Sequence, residues 1–525
     1  MNSLLILYGG NLSSEAFRQV FNEKNAFMMS VEQAMKFPGI GKTALFTTSA
    51  LEFTCPAGIQ VEQRDKWTKK SVLEKMAELQ AGFDFTYFVF ADCPFLDPSL
   101  AESLAERHTQ YAAEYTYADG FPYGLAPEIV SPSTPAILAA ILGEDDGPVE
   151  RDTLFSVIQK DINAFDIETE ISNIDHRCHR INLCADTRRD LLLLENFFAA
   201  YGKKIPGARD VERIIEKQPE ILRVLPVFYP VQIYGGCPQK CVLCPYPLFT
   251  DPEGRKDFMD CAKFETLLDK IINFSKDAVI DISLWGEAGL HPEKMKLIEA
   301  VLSRNELSLV IETSGIGWKA DELESCARLS QRASDTALNK FPPPLSWIIS
   351  LDTSDPLKYS ALRGAGFAEA ENCAKKLLQL FPDDCYVQAV RYSGSEDDTR
   401  KFYSYWKEAS PRKEKNIIIQ KYDDFCGVLE KKQASDISPV TRQPCWHIMR
   451  DFPVLIDGSV PLCKGYLASL KGEKHLVLGN VFSDPLDVIW RNGDKYYREH
   501  CERNYSAPLF RGLCENCDEY YTYNF

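Results

Sequence analysis

The chain has 525 residues, too many for one ordinary domain; at roughly 150 residues per domain, two to four are expected. Its 45% hydrophobic and 26% charged residues are those of a globular chain with sizeable cores. The 59 basic and 76 acidic residues leave a net charge of −17, which argues against a general nucleic-acid or anionic-membrane binder. No apolar run reaches the length of a membrane span, and the start, Met1 to Gly10, lacks a basic segment and a cleavage site. A reducing cytoplasm is the expected setting. There, 17 cysteines against 7 histidines, partly bunched, point to metal or redox chemistry for the clusters and to core thiols for the scattered ones such as Cys55, Cys93, Cys178 and Cys373.

In chain order, residues 3–10 read as a buried strand entering a Gly turn, 43–50 as a second strand, and 83–95 as a third whose end carries Asp92. Residues 185–202 read as a helix with Asp186 as N-cap and Gly202 as its stop. These alternations predict βαβ units over 1–205, followed by a polar linker at 206–225. From 226 to 425, short β-branched or aromatic runs alternate with helical patterns again: 231–234, 279–287, 307–315, 345–354, 385–393 and 416–423. They make about six βα units, too few for a closed eight-stranded barrel. From 426 to 525, cysteines, glycines and short strands dominate.

Directly after the strand Val231–Tyr234 and the pair Gly235–Gly236, Cys237, Cys241 and Cys244 form C-x3-C-x2-C. Three thiolates within eight residues can converge on one metal site. Iron–sulfur clusters commonly take four, so a set of three leaves one iron open. Zinc remains a rival reading, although it usually pairs C-x2-C with a second pair elsewhere.

This motif resembles that of the radical S-adenosylmethionine (SAM) superfamily, which implies a 4Fe-4S cluster on Cys237, Cys241 and Cys244 whose free iron chelates SAM. Cleavage of SAM to methionine and a 5′-deoxyadenosyl radical, and hydrogen abstraction from a substrate, would follow. The stretch 285–292 resembles the family's GGE motif through Gly286 and Glu287, with Trp285 at the first glycine position. The resemblance extends to Thr313 and Ser314 at a TNG-like turn, to Ser350 and Asp352 facing the nucleoside, to Arg363 in the following turn, and to Gln388 and Arg391 on the next strand. It implies that these nine residues bind the cofactor, with no catalytic residue assigned and an electron donor such as flavodoxin or ferredoxin.

Toward the end, twelve residues separate Cys445 from Gly458; Gly458-x4-Cys463 follows, and Cys514-x2-Cys517 closes the set. The pattern resembles the SPASM region of many radical SAM enzymes and implies one auxiliary 4Fe-4S cluster on Cys445, Cys463, Cys514 and Cys517. Cys501 is an outside candidate, and a zinc ribbon on the same four thiolates is the rival.

At the front, 7–17, 89–98, 121–130, 149–155 and 181–197 echo the cytidylyltransferase-like sugar-nucleotide enzymes in order, which implies Asp92 and Asp186 as magnesium ligands. The basic loop that would hold the triphosphate is absent, and Glu15 stands where a cation is wanted. The three parts together resemble the spiro-SPASM architecture. The expected fold class is α/β: a Rossmann-like nucleotidyltransferase fold, a partial (β/α)6 TIM barrel of the radical SAM type, and a small Cys-rich SPASM domain. The leading expectation is a radical SAM enzyme acting on a peptide or protein. The alternatives are a sugar or sugar-nucleotide substrate held by the first domain, and a non-catalytic metal-binding scaffold.

Overall fold

The structure, a computed structural model, describes residues 2–48, 58–143, 146–336, 342–435, 439, 442–503 and 513–522. Ser49, Ala50 and Cys55 lie outside them. The chain divides into two units, Met1–Val224 and Leu225–Phe525. None of the described helices is long and apolar enough to cross a membrane.

The first unit is built on β1 (Ser3–Gly9), β2 (Ile40–Thr48), β3 (Ile59–Arg64), β4 (Phe85–Phe90), β5 (Tyr115–Asp119), β6 (Glu128–Val130) and β7 (Ile167–Ile171). They lie in the order β3-β2-β1-β4-β6-β5-β7, parallel except that β6 runs antiparallel to both neighbours. β1 and β4 are buried along their whole length, as the unbroken apolar runs of a sheet covered on both faces must be. The chain leaves β1 toward β2 on one side and meets β4 on the other. The crevice at their carboxyl ends is therefore a topological switch point, where open α/β sheets bind ligands.

Two local expectations are corrected here. The helix Arg188–Ala200 is capped by Thr187, not Asp186: the Thr187 hydroxyl accepts from the Asp190 N–H while Asp190 accepts from the Thr187 N–H. Within 206–225, Ala208–Lys217 is a helix with Ala208, Val211, Ile214 and Ile215 buried, and its first N–H groups are met by Asp97 and Asp210.

The second unit holds β8 (Phe228–Pro230), β9 (Ala278–Asp281), β10 (Leu307–Thr313), β11 (Leu345–Ser350), β12 (Cys385–Arg391) and β13 (Ile417–Lys421) in one sheet. All pairings are parallel and the spatial order is the chain order, so every connection is a crossover carrying a helix on the way. The core strands β10 and β11 are buried except at Glu312, with Leu, Val, Ile and Trp making up most of each. A short hairpin, β14 (Ser459–Pro461) and β15 (Val477–Asn480), belongs to the C-terminal segment.

That segment is joined to the sheet. Phe452 and Val454 donate backbone hydrogen bonds to Phe228 and Pro230 of β8, both 2.8 Å. Phe452 packs against Tyr229 at 5.3 Å and against Trp490 at 6.1 Å, and all three belong to the same hydrophobic core as the sheet.

Candidate cluster and cofactor site

The loop after β8 carries the first cysteine set and is fastened at several points. Gly235 donates to Asp257 O (2.9 Å) and Cys237 to Pro252 O (3.0 Å). Lys240 and Val242 donate to the carbonyls of Arg363 and Leu362, 2.8 and 2.9 Å away. Those carbonyls are among the last of the helix Pro356–Arg363, left without helical partners, so the cysteine loop serves as that helix's cap. Gly364, with φ +99°, ends the helix and lets the loop approach.

The three cysteines open onto a cavity of about 270 Å³ at the carboxyl ends of the parallel strands. Gly286, Glu287, Thr313, Ser314, Ser350, Asp352, Arg363 and Gln388 line it too. Arg391 does not: it is exposed and outside the lining.

The glycine at 286 has a steric reason. Its φ is +92°, and a Cβ there would stand 2.0 Å from the Tyr234 carbonyl oxygen. Trp285 also takes a left-handed φ, and its ring stacks on Tyr246 at 5.8 Å. The Glu287 carboxylate, buried, accepts from Thr313 Oγ1 (2.5 Å), Ser314 N (2.9 Å), Ser314 Oγ (2.6 Å) and Gly289 N (3.1 Å). Four donors to one buried carboxylate tie the end of β10 to the turn after β9.

A second network spans the next strands. Ser350 Oγ and Gln388 Nε2 both donate to Glu312 Oε1, at 2.8 and 2.9 Å. Asp352, at φ +65°, accepts from Val390 N (3.0 Å) and from Arg363 Nη1 (2.6 Å). Arg363 is buried and its Nε has no hydrogen-bond partner among the described residues, so a donor is left for a polar group. Burial pushes the Cys237 and Cys244 thiols up to about 12, aided by Glu287 and Cys241 respectively, and raises Cys241. A bound cation that stabilises thiolates is what such a buried set requires.

Sequence reasoning missed Asp281, Asp423 and Lys464 in the same cavity. Burial raises both carboxyls to about 7, with Lys464 opposing the rise in each. No spacing rule links them to the cysteines.

The C-terminal cysteines also converge. Cys445, Cys463, Cys514 and Cys517 line one pocket together with Cys426, and Cys501 is not among its walls. Burial raises the Cys445 and Cys514 thiols and holds Cys463 at about 12. Among the described residues, no three sulfurs of either set lie within 4.8 Å of one another.

In the first unit, Asp92 and Asp186 do come together, but around a guanidinium. Arg151 donates to Asp92 through both terminal nitrogens, one bond being 2.7 Å, and also to Asp186. Asp92 is fully buried, with the Arg151 side chain over the Phe90 ring at 4.4 Å.

Residues 445–518 match the SPASM family, described as an iron-sulfur cluster-binding domain. The C-terminal part of the second unit is thus of an iron–sulfur type. The chain is 32% identical over 382 residues to an uncharacterized protein of Treponema pallidum (strain Nichols), a match covering 71% of this chain and 98% of that protein. It belongs to the same family as that treponemal protein. Among solved structures it is similar to Streptococcus suis SuiB bound to precursor peptide SuiA, at 15% identity and TM-score 0.39, over 57% of this chain and 71% of that one. It is also similar to a cytidylyltransferase from Leptospira borgpetersenii serovar Hardjo-bovis, at 15% identity and TM-score 0.34, over 42% and 95%.

Proposed function

We propose that this protein is a radical SAM enzyme whose second unit is an open (β/α)6 barrel with a SPASM module, working in a reducing compartment on a peptide or protein. The observation that carries the reading is the shared cavity: the C-x3-C-x2-C loop, Gly286 and six polar side chains at four successive strand ends, and Arg363 at the end of the helix Pro356–Arg363 face one space. A 4Fe-4S cluster held by Cys237, Cys241 and Cys244, with SAM on its open iron, would supply one electron to split SAM into methionine and a 5′-deoxyadenosyl radical that takes a hydrogen atom from the substrate.

The chain's own residues do the placing. Glu287 fixes the turn around Gly286, so that backbone there can approach the amino acid part of SAM. The Ser350–Gln388–Glu312 network and the Arg363–Asp352 pair offer polar groups to the nucleoside. Trp285, Tyr246 and Phe425 form an aromatic wall that keeps water from a reactive radical.

The first unit is read as a substrate-docking module of nucleotidyltransferase-like topology. Arg151 holds both carboxylates that a divalent cation would need, which favours docking over nucleotidyl transfer and a protein substrate over a sugar nucleotide.

The test is anaerobic reconstitution of the wild type and of the triple variant Cys237→Ala/Cys241→Ala/Cys244→Ala. The wild type is expected to hold about eight irons and to form 5′-deoxyadenosine; the variant is expected to hold about four and to form none. Retained 5′-deoxyadenosine in the variant, or bound zinc in place of iron, refutes the assignment. Transfer of deuterium from a labelled peptide into 5′-deoxyadenosine identifies the substrate class.

A further inference from the structure

Two thiols of the first unit meet although 91 residues separate them. Cys93 follows Asp92 just past β4, and Cys184 lies two residues before Asp186. Both are buried, and their sulfurs stand 3.3 Å apart, sharing a hydrogen bond. The backbone holds them there. Ala185 N donates to Asp92 O (2.9 Å), so Cys93 and Cys184 flank that bond, and Leu183 N donates to Tyr123 O (2.9 Å). Gly124 lets the two segments press together. Its φ is +96°, and a Cβ there would stand 2.7 Å from the Leu183 carbonyl oxygen and 3.2 Å from the Cys184 sulfur.

The pair forms the floor of the switch-point crevice. Asp92, next to Cys93, is bound by Arg151, whose side chain is 26% exposed, so the thiols lie one residue below a solvent-facing group. Asp92, Cys93 and Cys184 present ligand atoms within 4.8 Å of one another, as a metal site also would. Arg151 decides between the two uses. It already binds Asp92 through both terminal nitrogens, and a metal ion would set a second cation beside it. The sulfur contact is left as a dithiol.

We propose that Cys93 and Cys184 are a redox-active pair, oxidised by a low-molecular-weight disulfide to an intramolecular disulfide that fixes the floor of this crevice. Cys93, the less completely buried, attacks the reagent disulfide and releases one reagent thiol. Cys184 then attacks the Cys93 sulfur of the mixed disulfide and releases the second. Each protein sulfur loses one electron, each reagent sulfur gains one, and the two thiol protons end on the two released thiols. The protein sulfurs have only to close from 3.3 Å to about 2.0 Å. Excess thiol reverses the reaction, as befits a disulfide that is transient in a reducing compartment.

The test treats the reconstituted full-length protein anaerobically with hydroxyethyl disulfide, then denatures it, alkylates the remaining thiols and maps the peptides by mass. The peptides of Cys93 and Cys184 are expected to be joined and two hydrogens lighter. Cys326, a buried thiol that faces Met295, is expected to be alkylated, which shows that the fold stayed closed to the reagent. Alkylation of Cys93 and Cys184 to the same extent as Cys326, or their separate capture as reagent adducts, overturns the proposal. So does a zinc ion that a chelator must strip before the pair reacts. The second measurement is amide hydrogen exchange at Ala185, whose bond to Asp92 O lies between the two cysteines. Oxidation is expected to slow it about tenfold, dithiothreitol to restore it, and Cys184→Ser to abolish the response. Equal exchange in the oxidised and reduced wild type overturns the fixing of the crevice.

Discussion

Gly286 shows how much one hydrogen atom in place of a methyl can decide. A Cβ there meets a backbone carbonyl at 2.0 Å, with φ at +92°, so Gly286→Ala is strained in two independent ways. Displacing that turn is expected to weaken SAM binding by tenfold or more, from roughly 1–3 kcal/mol of strain, as measured by equilibrium titration of the reconstituted protein. Glu287→Gln acts differently. The amide replaces one accepting oxygen by a donor group, which then faces either the Thr313 hydroxyl and Gly289 N–H or the Ser314 N–H and hydroxyl. A loss of about 1–3 kcal/mol in unfolding free energy is expected, with the auxiliary cluster's iron unchanged. The residue types at these two positions were legible in the sequence. Their reasons were not, because the carbonyl of Tyr234 and the hydroxyl of Thr313 come from other strands.

Among elements, the strands were read more accurately than their joints. β10 to β13 fall inside the expected runs, since a buried parallel strand must be apolar on both faces. The cap of Arg188–Ala200 was misplaced by one residue because Asp186 and Thr187 are both good caps by type; Arg151, remote in sequence, draws Asp186 away. The helix Pro98–Gln110 supports a pH prediction. His108, in its last turn, is buried beside Phe85 and bonded to Thr116 Oγ1 at 2.8 Å; burial lowers its pKa from 6.5 to about 4. The folded state resists the proton that the unfolded chain accepts. This stability is therefore complete above pH 6.5 and lost as pH falls toward 4, by roughly 3 kcal/mol at the acid end. Chemical unfolding at pH 7.5 and 4.5 should show a smaller acid loss in His108→Gln than in the wild type; equal losses would count against the imidazole as the cause.

For the whole molecule, the first unit tests whether a resemblance of order and topology carries its chemistry with it. The switch-point crevice is present and both carboxylates reach it, yet a guanidinium stands between them. With nucleoside triphosphate and magnesium, no pyrophosphate release above background is expected from the intact protein. Arg151→Met is expected to lower stability by several kcal/mol, because buried Asp92 loses its countercharge. Pyrophosphate release by the wild type would restore the nucleotidyl-transfer reading. In the second unit the C-terminal segment shares the hydrophobic core and the β8 edge of the sheet.

By itself the sequence determined the three-cysteine loop, the order of the βα units and the four spaced C-terminal cysteines. Each is written in local spacing, and strand periodicity, turn glycines and ligand intervals are properties of neighbouring residues. Only the tertiary structure decided that Cys426 joins the C-terminal set, that Arg151 takes the place between Asp92 and Asp186, that Arg391 stays outside the cavity, and that Asp423 and Lys464 belong to its wall. The physical reason is the same in each case. Burial and charge pairing act between side chains that the chain brings together from far apart, and no interval along the sequence encodes those distances.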